Sequence, residues 1–129
     1  MEKSLIFSYL SNCKINLGLN VLNKRDDQFH NLESIFVEVK LSDTLHFKKS
    51  NNFLFTSNNQ YLNKAKNNTI TQAYKALSEL SDNLQPYTIT LEKNIPIGGG
   101  LGGGSSNAAT ALKALNHLWN LNLSNNELM

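Results

Sequence analysis

Six of the seven glycines of this 129-residue chain lie between positions 98 and 104, in the run Pro96-Ile97-Gly98-Gly99-Gly100-Leu101-Gly102-Gly103-Gly104-Ser105-Ser106-Asn107. Every glycine costs extra backbone entropy on folding, so this density makes sense where a ligand must come close to the main chain. The run joins a segment of alternating polarity, Tyr87 to Glu92, to an alanine-rich segment of helical period. A loop leading from a strand into a helix N-terminus offers free N–H groups and the positive end of the helix dipole, and both favour an anion. Backbone amides together with the Ser105 and Ser106 hydroxyls would cradle a phosphate chain. The plainer reading is a flexible linker, but linkers are seldom bounded by a strand and a well-formed helix.

Three familiar phosphate loops do not fit. A Walker A loop ends in Gly-Lys-Ser/Thr, and here Gly104 stands at the lysine position. The spacing G-x-G-x-x-G is present, as it is in any glycine-saturated stretch, but a Rossmann unit needs a further strand ending in an acidic residue. Only the polar stretch from Asn120 to Asn126 follows the helix. The protein-kinase loop joins two strands of a hairpin, whereas a helix follows this one. A different class of phosphate loop remains.

The elements that must hold this loop are read from periodicity. Leu5 to Leu10 is apolar and aromatic and predicts a strand. Lys14 to Leu22 alternates, with Ile15, Leu17, Leu19 and Val21 on one face and Lys14, Asn16, Gly18 and Asn20 on the other. Residues 23–28 predict a loop. Ile35, Val37 and Val39 mark a third strand, and Leu45 with Phe47 a fourth, entered through the turn-like pair Ser42-Asp43. Residues 53–55 suggest a short fifth strand, and 57–68 a polar surface loop. Ile70, Ala73, Tyr74, Leu77 and Leu80 recur at helical spacing behind a capping box formed by Thr69 and Gln72. Tyr87 to Glu92 is a strand with Ile89 and Leu91 inward. A second helix starts at about Ser105, with Ala108, Ala111, Leu112, Leu115, Leu118 and Trp119 on its apolar side. Ser124-Asn125-Asn126-Glu127 is a further capping box that announces a third helix. The pattern is α+β, without internal repeat or linker.

Composition excludes several classes. Apolar residues make up 40% of the chain, enough for a packed core. Twelve basic residues against ten acidic leave a net charge of +2, which predicts no nucleic-acid or membrane partner. Cys13 is the only cysteine, so a disulfide framework is impossible and a cytoplasmic location is expected. No apolar run approaches the ~18 residues of a membrane-spanning helix. His46 and His117 show no metal-ligand spacing.

The glycine-rich run with Ser105-Ser106-Asn107-Ala108-Ala109 resembles the P-x-G-x-G-L-G-S-S-A-A loop of the galactokinase, homoserine kinase, mevalonate kinase and phosphomevalonate kinase superfamily. Its doubled triple glycine is similar to the diphosphocytidyl-methylerythritol kinases within that superfamily. So are Ala114-Leu115-Asn116-His117-Leu118-Trp119 and Leu123-Ser124-x-x-Glu127-Leu128. Cys13-Lys14-Ile15-Asn16-Leu17 resembles the A-K-[IL]-N-L strand of those kinases, and Asp26-Asp27-Gln28-Phe29-His30-Asn31-Leu32 resembles their D-G-[YF]-H-x-[IL] segment. The matches run from about residue 8 to the end, in family order.

The resemblance implies that residues 1–129 form the N-terminal, ATP-binding domain of a two-domain kinase fold, similar to the second domain of ribosomal protein S5 and truncated here. It implies transfer of the γ-phosphoryl of ATP, with Mg²⁺, to the 2-hydroxyl of 4-diphosphocytidyl-2-C-methyl-D-erythritol on the route to isopentenyl diphosphate. Pro96 to Ser106 would be the ATP phosphate loop and Asn68 a neighbour of the adenine. Lys14 would be the catalytic lysine, with Asn16 reaching the same substrate pocket. Phe29 and His30 would hold the cytosine ring by stacking and a hydrogen bond to the base edge. Phe29 replaces a tyrosine common in the family, and Gln28 a glycine. Ser106 would either help hold Mg²⁺ or simply cap its helix. The family's catalytic aspartate lies in a G-A-D-[VI]-P segment beyond the position of Met129, so the 129-residue chain is expected not to turn over by itself. Two other readings stay open: a homoserine or mevalonate type of kinase, and a non-catalytic nucleotide-binding remnant.

Overall fold

A computed structural model describes residues 5–24, 30–65, 67–98 and 103–128, and among these the side chains of 14–24 and 30–40 lie outside the description. Two long strands, β1 (Ile6–Lys24) and β2 (His30–Lys49), pair antiparallel. They are followed by β3 (Leu54–Ser57), α1 (Gln60–Lys64), α2 (Thr69–Ser78), β4 (Tyr87–Glu92), α3 (Gly103–Leu118) and α4 (Asn125–Leu128). The sheet order is β1-β2-β4-β3, with β4 antiparallel to β2 and parallel to β3. The segment from β3 through α1 and α2 to β4 is therefore a βαβ crossover, the one way two neighbouring parallel strands can be joined.

The α+β class is borne out, and α2 and α3 pack side by side over one sheet face. The alternation in β4 buries Tyr87, Ile89 and Leu91, which meet Leu45 and Phe47 of β2. Against them lie Ile70, Ala73, Tyr74 and Leu77 of α2 and Ala111, Ala114 and Leu115 of α3. Trp119 sits edge-on to Tyr74, ring centroids 5.2 Å apart, and donates its indole N–H to the Gln85 carbonyl. The opposite face is mixed: the Ser8 hydroxyl lies 2.7 Å from His46 Nδ1 and Thr56 pairs with Thr90 across β3 and β4, while Ile6, Leu10 and Leu54 are exposed.

Several expectations are corrected. The four N-terminal strands are two, because Ser42-Asp43 continues β2 instead of turning the chain. A polar pair survives mid-strand because the Asp43 carboxylate is satisfied by the segment after β4, and because the register against β1 shifts between Asn12 and Cys13. β1 runs to Lys24, past the expected loop start at 23, and residues 25–29 lie outside the described set. Within 57–68 a short helix, α1, forms behind Asn59, whose side chain accepts the Leu62 N–H. The Thr69–Gln72 capping box is absent: Asn68 is the cap and accepts the Thr71 N–H at 2.9 Å. α2 closes at Ser78, so Leu80 falls beyond it and is exposed. α3 starts at Gly103, two residues earlier than expected, and the chain leaves it through Asn120 at φ 53°. The second box is confirmed, since the Ser124 and Glu127 side chains exchange bonds with each other's N–H.

Candidate active site

β4 delivers the chain through Lys93, Asn94 and Ile95 into the glycine-rich loop, and α3 carries it away from Gly103. Gly98, at φ 76°, takes a backbone conformation that side-chain-bearing residues rarely adopt. Gly99, Gly100, Leu101 and Gly102 lie outside the described residues.

A cavity of about 490 Å³ opens between the loop, the end of β4 and the start of α2. Two helix N-termini meet on its wall, joined by a 3.0 Å bond from the Thr69 hydroxyl to the Gly104 carbonyl. Thr69, Gly103, Gly104 and Ser105 all border the cavity. Both helices aim the positive ends of their dipoles there, an arrangement that favours an anion more than either end alone. Asn68 also lines the space. Its side-chain oxygen is spent on capping α2, while its Nδ2 is buried with no acceptor among the described residues. A buried amide donor without a partner costs free energy, and a ligand nitrogen or oxygen in the cavity would remove that cost.

Beneath the loop lies a polar cluster. Asp43, fully buried, accepts bonds from the Asn94 and Ile95 N–H groups at 2.6 and 2.8 Å. Its second oxygen accepts from the Lys93 ammonium at 2.6 Å and the Asn107 amide at 2.9 Å. Burial alone would push the Asp43 carboxyl up. The Ile95 N–H, the Lys93 ammonium, the Asn107 amide and the Asn94 N–H outweigh it and hold the group below the usual carboxylate range. Asn107 also donates to the Ser11 hydroxyl on β1, and Ser11 donates to Ser106, each at 2.9 Å.

Thus Pro96, Ile97, Gly98, Gly103, Gly104 and Ser105 border one cavity together with Asn68. Ser106 is turned the other way. It borders a second hollow of about 360 Å³ between β1 and α3, shared with Tyr9, Asn12 and Lys113. Lys14 lies three positions along β1 from Ser11, its backbone opposite Glu38, and Asn16 lies opposite Phe36. The side chains of Lys14, Asn16 and His30 are outside the description, as is Phe29 altogether. Among the described residues no three His, Cys, Asp or Glu side chains could together hold a metal ion, and no helix is long and apolar enough to cross a membrane.

Sequence reasoning missed Asp43, Lys93 and Ser11, and used Asn107 only as part of the motif. A signal existed. Asp43 shares the inward parity of Leu45 and Phe47, and Lys93 that of Ile89 and Leu91. Continuing the β2–β4 register by one pair beyond Thr44↔Glu92 sets Asp43 opposite Lys93. An inward acid facing an inward base is a paired cluster.

Residues 68–129 match the GHMP kinases N terminal domain, beginning at the cap of α2 and taking in the loop and both helices. The 4-diphosphocytidyl-2-C-methyl-D-erythritol kinase of Chlorobium chlorochromatii is 46% identical over 110 residues, 85% of this chain and 38% of that protein. The kinase of the same name from Thermodesulfovibrio yellowstonii is 47% identical over 110 residues, with the same shares. Residues 68–129 belong to a GHMP kinase N-terminal domain. A crystal structure of a 4-(cytidine 5'-diphospho)-2C-methyl-D-erythritol kinase superposes with a TM-score of 0.79 at 33% identity, covering 95% of this chain and 44% of that one. The chain spans less than half the length of each of these three kinases. Asp43 and Ser11 lie outside the segment that matches the GHMP domain, and Asn107 within it.

Proposed function

We propose that this chain supplies the ATP-binding part of a site that transfers the γ-phosphoryl of ATP to the 2-hydroxyl of 4-diphosphocytidyl-2-C-methyl-D-erythritol. The observation that carries the reading is the cavity where the N-termini of α2 and α3 meet beside the Asn68 amide, which has no acceptor among the described residues. The adenine lies against Asn68, and the phosphates lie over Gly103, Gly104 and Ser105. Phosphoryl transfer asks little covalent chemistry of a protein; position and charge stabilisation do most of the work. Helix N-termini and main-chain amides provide both without reorganising during the reaction.

The acceptor belongs on the β1 side. Ser106 forms the partition, with the nucleotide cavity on one side of its helix turn and the β1 hollow on the other. Lys14 sits along that strand and brings a compact positive charge to the transferring group. Asn16, Phe29 and His30 hold the cytidyl substrate, as the family resemblance implies. Mg²⁺ would come bound to the nucleotide and neutralise phosphate charge; the Ser106 hydroxyl, which borders the β1 hollow and not the nucleotide cavity, would serve it only where the transferring group passes toward the acceptor. We place the enzyme in the cytoplasm.

The test uses the purified chain and a chimera that adds, after Met129, the remaining residues of the Chlorobium chlorochromatii kinase. The chain is expected to bind ATP, and the chimera to phosphorylate the cytidyl substrate but not homoserine or mevalonate. A chimera that folds, binds ATP and phosphorylates none of the three would leave only a nucleotide-binding role. Preference for homoserine or mevalonate would overturn the substrate assignment.

A further inference from the structure

A run of glycines makes a poor binding site unless something outside it fixes its ends. The residues have wide conformational freedom, and ordering them upon ligand binding would subtract from affinity. In this chain one carboxylate grips both ends. Asp43 Oδ1 takes the N–H groups of Asn94 and Ile95, directly before Pro96, and Oδ2 takes the Asn107 amide, directly after Ser106. The Lys93 ammonium completes the set on Oδ2 and reaches the Asn107 oxygen at 3.3 Å.

The cluster also sets the position of the helix that leaves the loop. A Cβ built on Gly103 would stand 2.8 Å from Lys93 Nζ and 3.0 Å from Ile95 Cγ2. The first turn of α3 therefore rests directly on the group that Asp43 holds. Through Asn107 and Ser11 the same set of bonds fixes Ser106 against β1, the strand that carries Lys14. A buried ion pair is a poor source of stability, since an apolar pair of similar volume holds a core as well or better. What four directed bonds on one carboxylate add is geometry.

We infer that Asp43 is a positioning residue for phosphate binding, clamping the entry and exit of the glycine-rich loop so that the amides at the start of α3 are fixed before a nucleotide arrives. The inference rests on the nucleotide reading of the cavity. It assigns Asp43 no contact with substrate.

The test compares the parent chain with Asp43→Asn, which keeps the shape but turns an amide toward the Lys93 and Asn107 donors. Two readouts are used: amide hydrogen exchange residue by residue, and the dissociation constants of ATP and of adenosine. Exchange is expected to quicken at Asn94, Ile95 and 105–107 while the ladder amides of Leu45 and Ile89 keep their rates. ATP is expected to bind about tenfold more weakly, with adenosine changed by less than about twofold. Unchanged exchange at the loop ends overturns the clamp. So does exchange that quickens everywhere with equal losses for ATP and adenosine, which would make Asp43 a purely structural residue. If the parent binds neither ligand, the nucleotide reading fails, and the exchange rates still decide whether Asp43 holds the loop. Should Asp43→Asn not fold, Asn107→Ala leaves the Asp43–Lys93 pair intact. It must then loosen 105–107 and weaken ATP more than adenosine, and equal effects on the two ligands overturn the proposal.

Discussion

The Asp43 carboxylate of β2 stands 2.6 Å from the ammonium of Lys93, fifty positions away and just past the end of β4, and both side chains are buried. Replacing Lys93 by Met leaves a buried negative charge without its counter-ion. Loss of one partner of such a pair costs about 3–5 kcal/mol. Urea unfolding followed by the fluorescence of Trp119, the only tryptophan, measures it. The double variant Asp43→Asn/Lys93→Met is expected to recover part of that loss, because the stranded charge is gone. A single variant as stable as the parent would show that the pair is not closed in solution.

The same carboxyl gives the fold a dependence on acid. In the folded chain Asp43 is held below its ordinary range, so it binds protons less readily there than in the unfolded chain. Its stabilisation is complete above about pH 4 and is lost as the pH falls through the lower folded value. Urea midpoints measured from neutral pH downward are expected to fall more steeply for the parent than for Asp43→Asn. Parallel profiles would contradict the assignment.

Two neighbouring glycines should respond oppositely to alanine. Gly103→Ala drives a methyl into Lys93 and Ile95, and overpacking of this kind costs about 1–3 kcal/mol. Gly104→Ala meets nothing nearer than Thr69 Cγ2 at 4.0 Å, so it is expected to be neutral or to gain up to about 1 kcal/mol from helix propensity. If phosphates lie on that turn, Gly104→Ala still weakens ATP binding. A thermal melt and an ATP titration of each variant separate packing from ligand approach.

Asn68 has two roles that a pair of substitutions divides. Asn68→Asp keeps a good N-cap for α2 and removes the buried donor, so the melting temperature holds while ATP affinity falls. Asn68→Ala removes both, lowering stability by about 1 kcal/mol in addition. Equal ATP affinity in the parent and Asn68→Asp would remove this residue from the nucleotide site.

What was legible in the sequence was whatever depends on local period or on contiguous motif. The inward faces of β4, α2 and α3 followed from spacing, and the glycine-rich loop announced its own position between a strand and a helix. Polar residues whose partners lie far off were not legible by the same means. Ser42-Asp43 looks like a turn because isolated polar pairs usually are turns, yet it pairs with Asn12 and Ser11 of β1, and the distant Asn94 and Ile95 N–H groups satisfy the carboxylate there. Thr69 looks like a cap because its spacing to Gln72 is right, yet Asn68 takes the role and frees the Thr69 hydroxyl to bond Gly104. Ser105 and Ser106 are adjacent in sequence and were expected to act together. One helical step between them sends the first to the cavity and the second to β1.

The cluster around Asp43 has a consequence for the order in which the chain acquires its form. Its members come from positions 11, 43, 93 and 107, spread over most of the length. No early local structure can assemble it, and contacts of such long sequence separation form slowly because the intervening chain must first be ordered. During synthesis on the ribosome, β1, β2 and β4 can emerge while the Asp43 carboxylate still lacks its Asn107 donor. The first turn of α3 takes its place at the cavity only after that helix has come down on the sheet, so the nucleotide proposed to bind there would meet a finished wall or none.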